Sequence, residues 1–165
     1  MSKRELRKIA REIKQIKARL LNSSENLDWK KMKTPTGSEI AEAFYFMSKA
    51  RNWDTESWSG GLCEEIAQSV LAVTKGKAKV FEVRTDDLRG IHYYTEYQGQ
   101  VLNEGLEYYE EDWGPTLRTE QTKLSPSRLP GDIFAMEILF VVDLIRKGLE
   151  KSYNLDMFFD WYDQL

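Results

Sequence analysis

Residues 78–103, AKVFEVRTDDLRGIHYYTEYQGQVLN, decide the fold. The runs at 78–85 and 91–97 are rich in aromatic and β-branched residues, as strands are, and Asp86 to Gly90 offers a turn between them. Gln98-Gly99 is a two-residue turn of the kind that closes an antiparallel hairpin, leading into a third strand at 100–103. With that turn Tyr97 pairs with Gln100, and Tyr94 with Asn103. Side chains alternate along a strand, so His92, Tyr94 and Glu96 share one face while Ile91, Tyr93, Thr95 and Tyr97 take the other.

Helices flank this hairpin. Upstream, Ser2 and Glu5 form a capping box that opens a helix over about 3–21, with Leu6, Ile9, Ile13, Ile16 and Leu20 along one side. The stripe spans only about two heptads, short of the three or four a free coiled coil usually needs, so it is expected to dock on the body or on a second copy. A polar link with Pro35 and Gly37 follows. Thr36 and Glu39 form a second capping box before a helix over about 38–51, faced by Ile40, Ala43, Phe44 and Met47. Gly60-Gly61 break the chain ahead of a third helix over about 62–74, ending near Gly76. Downstream, 114–131 carries Pro115, Pro126 and Pro130 and reads as an irregular connection with weak strand signal. Residues 132–151 form a helix apolar on most sides, hence buried, and 153–165 a last short helix. Helices, then a small antiparallel sheet, then helix make an α+β domain.

The 165 residues suit one domain, and a 41% hydrophobic fraction is enough to bury a core and too much for a disordered chain. A single Cys excludes an internal disulfide, and one Cys with one His excludes a zinc site built from those residue types alone. No apolar run approaches the roughly 18 residues of a membrane span, and MSKRELRK lacks the apolar core of a secretory signal, so a cytoplasmic chain with no membrane segment is expected. Charge is segregated: residues 1–33 hold 11 Lys and Arg against 4 Asp and Glu, and residues 34–165 hold 13 against 23, giving +7 and −10. The expected division is therefore a basic helical arm over 1–33 and an acidic α+β domain over 34–165. The acidic body disfavours nonspecific phosphate binding, and nucleic acid is not an expected partner.

Three positions make a candidate site: Cys63, His92 and Asn103. A thiol nucleophile needs a lowered pKa, a base within reach and a group that orients the base. Cys63 falls in the first turn of a helix, where free amides and the helix dipole favour a thiolate and can hold an oxyanion. It also shares the stripe of Ile66, Ala67 and Val70, as an inert buried thiol would. Asn103 lies diagonal to His92 on the same strand face, within side-chain reach; a register shifted by one residue makes Glu104 the orienter instead. Trp58, Gly61 and Tyr94 are the expected substrate contacts, with Trp53 and Trp58 read either as pocket walls or as core. The acids Glu107, Glu110, Glu111 and Asp112 fit a solvated surface better than a cation site. Tyr108, Tyr109 and Trp113 beside them line either a cleft or the core.

A Cys at a helix start after Gly, a strand His, a short turn with Gly and an amide at the end of the next strand resemble the papain-like and transglutaminase-like cysteine hydrolases. The order Cys63, His92, Asn103 is similar to theirs, and HYYTEYQGQVLNEG resembles their paired His and Asn strands; the likeness covers about residues 57–113. It implies a papain-like core, Cys63 attack on an amide, isopeptide or thioester of a peptide or protein substrate, and no metal or organic cofactor. The helix over 3–21 would then serve a homodimer or a partner protein. The alternative is a noncatalytic protein-binding module, an inhibitor or adaptor, on the same scaffold.

Overall fold

The computed structural model describes the backbone of residues 1–25, 27–52, 62–85, 91–102 and 116–165, and the side chains of these apart from 17–25, 85 and 116. The chain is α+β. Among the described residues three helices come first: α1 (Lys3–Glu25), α2 (Gly37–Ala50) and α3 (Cys63–Val73). Strands β1 (Lys79–Thr85), β2 (Ile91–Tyr97), β3 (Gln100–Leu102) and β4 (Thr116–Gln121) follow, then α4 (Ile133–Arg146) and α5 (Leu155–Tyr162).

The local signals hold where they are strongest. At the start of α1 the Ser2 hydroxyl accepts from the Glu5 N–H and the Glu5 carboxylate from the Ser2 N–H. Thr36 and Glu39 form the same reciprocal box at the start of α2. Asp132 caps α4 by accepting from Ala135 N–H, and Asn154 caps α5 through Met157 N–H. Lys75 and Gly76 take positive φ after α3, and Gly76 N–H returns to the Leu71 carbonyl at 2.7 Å. At the hairpin Gln98 and Gly99 have φ of 49° and 76°, the left-handed pair of a type I′ turn. Tyr97 pairs with Gln100 as the turn requires.

The sheet is antiparallel throughout, in the order β3-β2-β1-β4. One face lies under the helices: Val80, Tyr97 and Leu102 join the main core with Ile40, Met47, Ile66, Val70, Phe140 and Phe158, and Tyr93 packs against it. Phe81, Val83 and Tyr94 form a separate buried cluster on the other face. There the Arg118 guanidinium lies 3.8 Å from the centre of the Phe81 ring and pairs with Glu96 at 3.0 Å.

Three expectations need correction. The connection over 114–131 contains a true strand: β4 pairs with β1 from Val80–Gln121 to Thr85–Thr116. Its residues are polar and mostly exposed, so no apolar alternation announced it; the open edge of β1 recruits it. Helix α1 runs to Glu25 rather than ending near 21, and it contacts α5. Asn22, Ser23 and Ser24 lower helix propensity only mildly, and neither Gly nor Pro intervenes. Helix α4 ends at Arg146 instead of 151, because Gly148 turns the chain with φ of 70° and Leu149 N–H closes onto the Leu144 carbonyl at 2.9 Å. The polar link also does more than connect: Leu27 is buried, and Trp29 and Met32 pack against the core.

Candidate functional site

Cys63 is the first residue of α3, as expected, and is partly buried; Ile66, Ala67 and Val70 beyond it are fully buried. The N-cap residue Leu62 supplies no side-chain cap. Helix α3 packs on β2, and it does so on the face of Tyr93 and Tyr97. Glu64, in the first turn, lies close enough to Tyr93 for its charge to raise the phenol pKa, which fixes the start of α3 over this face.

His92 lies on the other side. It alternates with Tyr93 along β2, stands opposite Val83 of β1, and is 3% exposed on the face of Phe81, Val83 and Tyr94. Cys63 and His92 therefore belong to opposite faces of the sheet, and the structure does not bring them together. Tyr94, an expected substrate contact, is buried beside His92 and stacked on Phe81 with ring centres 5.2 Å apart. Asn103, Glu104, Trp53, Trp58, Gly61 and the residues over 107–113 lie outside the described residues.

Glu82, Arg84 and Tyr93 form a linked ionisable group on the sheet face under α3. Glu82 is buried, accepts from Arg84 Nε, and accepts from the Tyr93 hydroxyl at 3.1 Å. The Arg84 bond holds the Glu82 carboxyl below its ordinary pKa against the opposing effect of burial. Burial, and then Glu82, push the Tyr93 phenol up. A carboxylate held ionised by a guanidinium is a weak base near neutral pH, so this group neutralises its own charge rather than activating a thiol.

A second polar cluster went unread in the sequence. Glu137 of α4 is fully buried; its Oε1 accepts from Arg51 Nη2 and from the Tyr153 hydroxyl, both at 2.7 Å, while Oε2 has no hydrogen-bond partner. Burial pushes the Glu137 carboxyl up, and Arg51 opposes that shift. The signal was present as one acid inside the apolar run IFAMEILF. Among the described residues no group of three or more His, Cys, Asp or Glu side chains is placed to hold a metal ion, and no helix is long and apolar enough to cross a membrane.

Helix α1 carries a distinct surface feature. Every described side chain over 1–16 is exposed, including Leu6 at 53%, Ile9 at 42%, Ile13 at 48% and Ile16 at 43%. Six Lys and Arg and two Glu share those turns. Four large aliphatic side chains in one line on a charged helix form an unpaired apolar stripe, not the scattered exposure that any surface carries.

No protein-family model, curated protein or solved structure matches this chain.

Proposed function

We propose that this chain is a noncatalytic protein-binding module whose contact element is α1. The observation that carries the reading is the exposed line of Leu6, Ile9, Ile13 and Ile16. Folding of the body gains nothing from those side chains, so their apolar surface finds its use in association. The hydrolase reading loses support from the placement of His92, which sits across the sheet from the helix of Cys63. On the face under α3, Glu82, Arg84 and Tyr93 are tied to one another.

Thiol reactivity tests the reading. Cys63 in the native full chain is expected to alkylate with iodoacetamide at neutral pH no faster than an ordinary thiol, and His92→Ala is expected to leave the rate unchanged. Rapid alkylation that slows in His92→Ala would return the chain to the cysteine hydrolases.

A further inference from the structure

We draw no further inference here: the strongest candidate, the exposed stripe of Leu6, Ile9, Ile13 and Ile16 along α1, is an unpartnered apolar face, and nothing in the structure shows what covers it.

Discussion

The N–H of Gly37, at the first turn of α2, donates to the side-chain carbonyl of Gln98 at 2.9 Å, so the β2–β3 turn caps a helix 61 residues earlier in the chain. The approach is close enough that a β-carbon at Gly37 would run into the carbonyl oxygen of Tyr97. The turn and the helix end are thus one joint, and Gly37 is there because no side chain fits.

Gln98→Ala should cost about 1 kcal/mol by leaving the Gly37 N–H without its acceptor. Gly37→Ala should cost more, about 2–3 kcal/mol, because backbone has to move to admit the methyl group. Urea denaturation monitored by tryptophan fluorescence measures both. Equal costs would mean that the joint relaxes freely.

Glu39 joins α2 to α4 through Arg146, with Nε to Oε2 at 2.6 Å and Nη2 to Oε1 at 3.0 Å. The Arg146 bonds hold the Glu39 carboxyl down at about 2, against an ordinary 4.5. Because the folded value is the lower one, the stabilisation is complete above the unfolded value and is lost as pH falls from about 4.5 to about 2. Glu39→Gln keeps the capping box and removes the charge, so it should cost about 2 kcal/mol at pH 7 and almost nothing near pH 2. Denaturation at several pH values gives the curve; a cost independent of pH would contradict the ion pair.

The Glu137 cluster should respond in the opposite sense. Arg51→Met strands a buried carboxylate at neutral pH and should cost about 3–5 kcal/mol there. Burial raises the folded pKa of Glu137, so the variant regains stability as pH falls and the carboxyl takes up its proton. Thermal unfolding of Arg51→Met at pH 7 and near pH 4.5 should therefore show a smaller deficit at the lower pH.

Cys63 and His92 should behave as energetically independent. His92→Ala empties a buried position and should cost about 2 kcal/mol, while Cys63→Ser at a partly buried helix start should cost under about 1 kcal/mol. The double variant should show the sum within about 0.5 kcal/mol, as residues separated by a sheet do. A larger coupling energy would mean that sulfur and imidazole communicate.

Most of the architecture was legible because its signals are local. Capping boxes at Ser2 and Thr36 and the Gln98-Gly99 turn each depend on neighbours a few residues away. Strand alternation also sorted β2 correctly into a His92–Tyr94 face and a Tyr93–Tyr97 face. What alternation cannot tell is which face a distant helix covers. Aromatic residues occupy both sides of β2, and Tyr94 and Tyr97 are both buried, so neither face advertised itself as the one under α3. That choice decided the fate of the Cys63–His92 pair. Strand β4 escaped for a related reason: TLRTEQ has little apolar content of its own and owes its shape to an unfilled edge far back in the chain.

That same edge arrangement limits how the molecule can grow. Among the described residues the margins of the sheet are β3, of three residues, and β4, which carries the exposed Arg118 and Glu120. Short or charged borders such as these discourage a neighbour's strand from adding on.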